Sequence, residues 1–253
     1  MVRRQGRFAG VLALSVIVTA VLVPGPSAAG TSSRCALPVF GPGRTYHPRI
    51  VPAHFSPHVT NPWFPLTVGR TLIYTGVKDE KPALNVVTAV NRTKRVDGVR
   101  TRVVEDRLYL ANVLRERTSD YYAQDRCGNV WYFGEDTAEL DVHGRVISTE
   151  GSFHAGVDGA EPGVFMQAAP QVGRIFRQEW YRGHAEDRFW VLDRNATVTV
   201  PYGRFAHALR TAEATDLEPD VLDNKYFVRG IGEIAELAVR GPAERLRLVD
   251  VIA

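Results

Sequence analysis

The sequence predicts an all-β fold: a single antiparallel meander forming a strongly curved sheet or closed β-barrel, with a central cavity and at most one short helix. Three observations carry this expectation. From Thr71 onward, β-branched and aromatic residues recur with period two between turn signals. Val96-Asp97-Gly98, Arg126-Cys127-Gly128-Asn129 and His143-Gly144 stand where hairpin turns belong, so consecutive strands should pair antiparallel. No segment carries a long apolar stripe at helical spacing. So many strands in one domain leave a sandwich or a curved, closing sheet. Long early strands joined by tight turns favour the second, and such sheets commonly enclose a site for an apolar ligand.

Residues 1–30 read as a secretory signal peptide. Arg3, Arg4 and Arg7 precede an apolar run from Phe8 to Val23, Pro24 and Pro26 break it, and Ser27-Ala28-Ala29 supplies small residues for cleavage. The run is shorter than a spanning helix and is interrupted by Gly10, Ser15 and Thr19. The protein is therefore expected to be secreted or extracytoplasmic, with no integral membrane span once the signal is removed. Arg34 before Cys35, without a Leu-Ala-Gly-like run, does not fit a lipidation site. The chain has 31 Lys+Arg against 28 Asp+Glu, and the three signal arginines account for the whole excess. Basic residues alternate with acids, as in Arg115-Glu116-Arg117, which argues against a nucleic-acid partner. Arginine far outnumbers lysine, as in a high-GC bacterial genome.

Residues 31–65 form a proline-rich extended arm. Pro38, Pro42, Pro48, Pro52, Pro57, Pro62 and Pro65 fix φ and remove donors, so neither a helix nor a central strand persists. The arm should wrap the body or tether it. Cys35 and Cys127, the chain's two cysteines, are expected to pair in an oxidising compartment, which favours wrapping. His54 and His58 are separated by Pro57 and read as solvated loop histidines.

Residues 66–253 form the antiparallel β domain. Expected strands are 71–77, 84–94, 99–110, 114–123, 130–134, 145–149, 174–181, 187–192, 197–200, 205–215, 225–228, 233–239 and 245–251. Residues 160–168 fit one short helix with Pro162 in its first turn.

Unusual residue types gather in the middle and late segments. Trp131-Tyr132-Phe133-Gly134-Glu135-Asp136 sets three aromatics before two acids. Gly159-Ala160-Glu161-Pro162-Gly163 lies in a glycine-punctuated loop that runs on to Met166. Gln178-Glu179-Trp180-Tyr181-Arg182-Gly183-His184-Ala185-Glu186-Asp187 is a hairpin rich in titratable groups, and Lys225-Tyr226-Phe227-Val228-Arg229-Gly230-Ile231-Gly232 is a late turn. In these blocks, from Asn61 to the C-terminus, the chain resembles an uncharacterised family of exported bacterial all-β proteins. That resemblance implies a shared scaffold and no established activity. More distantly, the Tyr226-Phe227-x-x-Gly230-x-Gly232 turn is similar to one in curved envelope proteins of the lipoprotein-carrier type, which hold acyl chains in a concave sheet.

The acids have several readings. Ion pairing with Arg182, Arg188 or Arg229, or simple solvation at turn ends, is the plain account. Asp136 and Asp187, with Glu135 and Glu186, also have the oxygen chemistry of a calcium site, though no defined metal motif is present. Glu135, His154, His184 and Glu186 are the candidates for a catalytic acid or base. No Gly-x-Ser-x-Gly elbow, His-Glu-x-x-His helix or cysteine-rich zinc pattern occurs, and no cofactor is expected. Simple alternation puts Trp131 and Phe133 on one face with Glu135, and puts Glu186 with Trp190. The expected ligand-binding wall is therefore Trp131, Phe133, Trp180 and Trp190, with Met166 closing it and Glu135 and Glu186 near the rim. The leading reading is a secreted protein that binds a hydrophobic or amphipathic small molecule, such as a lipid, isoprenoid or polyketide-like compound. One alternative is an enzyme on this scaffold that isomerises or cyclises a lipophilic metabolite. The other is an envelope structural protein without a ligand. A buried carboxyl of raised pKa in the cavity favours the enzyme over the binder.

Overall fold

The computed structural model describes residues 36–253, so the signal sequence expected over 1–30, and Cys35, lie outside the described residues. Two single 3-10 turns, Gly43–Thr45 and Pro52–His54, bend the arm, and no longer helix is present among the described residues. Strand β1 is Phe55–Ser56, β2 Thr71–Lys78, β3 Lys81–Val96, β4 Val99–Leu110, β5 Val113–Asp125 and β6 Val130–Leu140. Short strands follow: β7 Val146–Ser148, β8 Phe153–His154, β9 Glu161–Met166, β10 Ile175–Arg177 and β11 Glu179–Trp180. The last five are long: β12 Arg188–Val200, β13 Gly203–Ala214, β14 Leu222–Val228, β15 Gly232–Arg240 and β16 Glu244–Ile252. No helix among the described residues is long and apolar enough to cross a membrane.

The strands form a nearly closed antiparallel barrel of 13 strands in the order β10-β12-β13-β14-β15-β16-β2-β3-β4-β5-β6-β9-β11. Strand β1 adds to β5, and β7 and β8 add to β6. Two features close the sheet. The last strand, β16, pairs with the first long strand, β2, placing Leu248 opposite Tyr74. The two ends of the order, β10 and β11, are consecutive in the chain and joined by Gln178. Phe176 pairs with Phe189 of β12, and two residues past Gln178's predecessor, Glu179 pairs with Pro162 of β9. One extended segment thus changes partners at Gln178. Gly163 permits this, because a Cβ there would lie 2.2 Å from the Gln178 carbonyl carbon.

Two expectations are corrected. Within residues 160–168 the chain forms strand β9, Glu161–Met166, and not a helix, pairing Trp131 with Val164 and Val130 with Met166. Pro162 and Gly163 are poor helix residues, and the edge of β6 offers them a partner. Strands expected separately at 187–192 and 197–200 are one strand, β12, which passes Asp193 and Ala196 by register shifts.

Both surfaces of the sheet around β6 are buried. On the inner side Tyr122, Tyr132, Met166 and Leu209 pack with Phe64 of the arm and with Leu66 just beyond it. On the outer side Trp131, Phe133, Phe176 and Phe189 pack with Leu37, Ile50 and Phe55. The Phe55 ring meets Trp131 and Phe133 edge-on, with centroids 5.8 and 5.2 Å away. The arm therefore covers aromatic surface that a bare barrel would expose, each such ring contributing about 1.5–3 kcal/mol on burial. Hydrogen bonds fix its path. Gln124 Oε1 accepts from the Thr60 and Asn61 amides at 2.8 and 2.7 Å, and Asn61 Nδ2 donates to the Gly128 carbonyl at 2.8 Å.

Candidate ligand-binding site

Inside the barrel lies a cavity of about 280 Å³. One part of its wall is apolar and aromatic. Phe64 comes from the arm and Leu66 from just beyond it, Tyr122 and Tyr132 from β5 and β6, and Phe165 from β9. Their rings form a continuous set: Phe64 lies 4.5 Å from Phe165 and 5.1 Å from Tyr122, and Tyr122 stacks on Tyr132 at 4.8 Å.

The rest of the wall is a girdle of carboxyls. Asp106, Asp120 and Glu135 come from β4, β5 and β6; Glu179 and Asp187 flank the Tyr181–Ala185 turn; Glu213, Glu233 and Glu236 come from β13 and β15. Among the lining residues the single basic side chain is Lys225 of β14. It binds Glu213 at 2.7 Å and Glu236 at 3.3 Å. Alternation makes the girdle: on β4, Val104, Asp106 and Leu108 share a face, so the acid sits between apolar neighbours.

Burial sets the protonation of these groups. It raises Asp106 to about 8, helped by the charge of Asp120. It raises Asp120 to about 7, against a hydrogen bond that Tyr132 donates to Asp120 Oδ1 at 2.6 Å. Glu135 is pushed well above the carboxylate range by burial and then by Asp120. Burial also raises Glu179, with Asp187 and Glu135 adding to it, and raises Asp187 to about 7, with Glu213 adding. Glu233 rises for the same first reason. Burial alone would lower Lys225, but Glu213, Glu236 and Glu233 outweigh it and hold the ammonium charged. Two amide oxygens in the wall, Asn85 Oδ1 and Gln178 Oε1, are buried without a hydrogen-bond donor.

The structure brings together only part of the expected site. Glu135 and Asp187 line the cavity. Trp131 and Phe133 do not: they pack on the outer face beneath the arm. The cause is a β-bulge at Gly134. Asp120 pairs with Glu135 and Tyr122 with Tyr132, so two steps on β5 face three on β6. The extra residue returns Glu135 to the side of Tyr132. Gly134 has φ +146°, and a Cβ there would lie 2.3 Å from the Phe153 carbonyl oxygen. Met166 is buried in the inner cluster, behind the cavity wall. Trp180 lies against Gly43 of the arm with the Arg177 guanidinium 4.5 Å from its ring. Trp190, half-buried opposite Ile175 and Ala212, is also off the cavity wall.

The other polar candidates are dispersed. Glu186 Oε1 accepts from the Gly183 amide at 2.8 Å and closes its own turn. His184 Nδ1 meets Glu150 at 2.8 Å, and its ring stacks on Tyr181. His154 Nε2 lies 2.8 Å from Asp136 Oδ1, and Lys94 Nζ reaches Asp136 Oδ2 at 2.9 Å. The Tyr121 hydroxyl also donates to Asp136. Burial would raise Asp136, but the hydrogen bonds from Tyr121 and Lys94 hold it below its ordinary value. Asp136 and Asp187 therefore do not converge, Asp187 lining the cavity and Asp136 lying in this separate cluster. Among the described residues no three His, Cys, Asp or Glu side chains are grouped to hold a metal ion. Asp106, Asp120, Glu179, Glu213, Glu233, Glu236, Lys225 and Gln178 were not among the sequence candidates. The legible signal was an acid flanked two residues away by buried apolar residues within one strand, as in Val104-x-Asp106-x-Leu108.

No known protein family matches the chain, and no curated protein matches it. Among solved structures, it is similar to a crystal structure from Parabacteroides distasonis provisionally described as that of a lipoprotein. That likeness has 6% identity and a TM-score of 0.39, and covers 75% of this chain and 98% of the other.

Proposed function

We propose that this chain is an exported small-molecule-binding barrel whose cavity takes an amphipathic ligand. The observation that carries the reading is the division of the cavity wall. Phe64, Leu66, Tyr122 and Phe165 offer an apolar surface, and the carboxyl girdle offers a polar one. A pocket with an apolar wall and convergent polar groups is the usual form of a ligand site. The earlier picture of an apolar interior with acids only at its rim gives way to one in which the acids lie within. Native mass spectrometry of protein purified from its secreting host tests the reading: a co-purified small molecule that is released on unfolding supports it. A protein that carries none, and binds none of a panel of amphiphiles, leaves the barrel as a structural envelope component.

A second reading, an enzyme acting on a lipophilic metabolite, is favoured by one arrangement. Asp120, raised to about 7, accepts a hydrogen bond from Tyr132 and lies opposite Glu135. A carboxyl titrating near neutrality beside a second, protonated carboxyl is suited to proton transfer. Asp120→Asn separates the two readings: it abolishes turnover in an enzyme, whereas a pure binder has no turnover to lose and changes only in affinity.

A further inference from the structure

We infer that the polar end of the ligand is an ammonium group, held between the carboxyl girdle and the side-chain oxygen of Gln178. This deepens the small-molecule reading and rests on it. Gln178 is 7% exposed, lines the cavity, and its Oε1 has no donor. Asn85 Oδ1, in the same wall, also lacks one. A buried acceptor without a donor is costly, by about 1–3 kcal/mol, so such atoms mark where a donor is missing.

Three donors within the wall are already engaged. Lys225 is bound to Glu213 and Glu236, the Tyr132 hydroxyl donates to Asp120, and the Tyr74 hydroxyl donates to the Glu233 carbonyl at 2.9 Å. Four carboxyls, Asp106, Glu135, Glu179 and Asp187, face the space with no basic side chain bound to them among the described residues. Burial favours their protonated forms, and a cation placed among them favours the ionised, accepting forms. A carboxylate or phosphate headgroup would add acceptors and negative charge to this wall. An alcohol brings one donor and no charge. A primary ammonium brings three donors and the opposite charge. The stacked Tyr122 and Tyr132 rings and the adjoining Phe165 add faces that attract a cation and an apolar surface for its alkyl chain.

The test is isothermal titration of the full secreted protein with octylamine, octanol, octanoate and octyl glucoside, which share one chain and differ in headgroup. Octylamine should bind at least tenfold tighter than octanol, with octanoate weakest. Glu135→Gln and Asp120→Asn, each close in shape to the native side chain, should shrink that preference at least fivefold, with a cooperative unfolding transition showing that each variant is folded. If octanol, octanoate or the glucoside binds as tightly as octylamine, the ammonium assignment is wrong and the binding reading stands. If octylamine is preferred but neither variant changes the preference, the cation sits elsewhere and the assignment is overturned. If none of the four binds, the small-molecule reading fails with it.

Discussion

Asp120 and Glu135 face each other across β5 and β6, and both carboxyls enter the same cavity. Two like charges so placed cannot both be ionised cheaply away from water. The Tyr132 hydroxyl donates to Asp120 and favours its ionised form. Glu135, raised first by burial and then by the charge of Asp120, is the member that keeps the proton. The pair titrates as a unit.

Folding stability should therefore fall as pH rises. Asp106 moves from 3.8 to about 8, and Asp120 and Asp187 from 3.8 to about 7. Above about pH 4 the unfolded chain loses these protons while the native chain keeps them, so the native state binds more protons and stability has a negative slope. The contribution is whole below the unfolded values and is lost as pH climbs through 7 and 8. Urea midpoints measured at pH 5 and pH 8 should be lower at pH 8, and Asp106→Asn should reduce the difference. A midpoint that rises with pH would contradict the neutral-carboxyl description.

Substitutions on the two faces of β6 should separate stability from binding. Phe133→Ala removes a fully buried ring from the outer cluster and should cost about 3–5 kcal/mol, with ligand affinity unchanged below the melting range. Phe64→Ala, in the cavity wall, should weaken ligand binding by roughly 1–3 kcal/mol. Paired denaturation and titration curves read both. Loss of affinity in Phe133→Ala at constant fold would return that ring to the site.

Gly134→Val should be severely destabilising, by roughly 3 kcal/mol or more, because it adds left-handed strain to a backbone clash. Denaturant unfolding checks this. A variant as stable as the parent would mean that the bulge relaxes, and Glu135 would then leave the cavity.

Cys127 lies in the turn between β5 and β6, where its amide donates to Asp125 Oδ1 at 2.8 Å. Non-reducing peptide mapping should link it to Cys35, and reduction should lower stability by roughly 4 kcal/mol for a loop of about ninety residues. Free alkylation of both thiols in the unfolded, unreduced protein would show the arm to be held by packing and hydrogen bonds alone.

Mass analysis of the protein recovered from culture medium should find its N-terminus near Ala29 or Gly30, as the signal-like segment implies. Intact Met1 in a soluble cytoplasmic fraction would remove the export proposal.

The fold class was legible in the sequence because its determinants are local. Period-two alternation marks strands, and Val96-Asp97-Gly98 and Arg126-Cys127-Gly128-Asn129 mark turns that join neighbours in chain order. Strand β4 spans the expected residues 99–110. Glu135 and Asp187 were recognisable as candidates because acids beside aromatics are unusual. Tertiary structure alone decided the rest. The pairing of β16 with β2, and the change of partner at Gln178, join residues far apart in sequence and close the barrel. Which side chains face inward depended on one extra residue at Gly134: with a side-chain period of two, that single insertion exchanged Trp131 and Phe133 for Tyr132 and Glu135 at the inner face. Alternation fixes which residues share a face only between bulges, and a bulge is set by the strand packed alongside it.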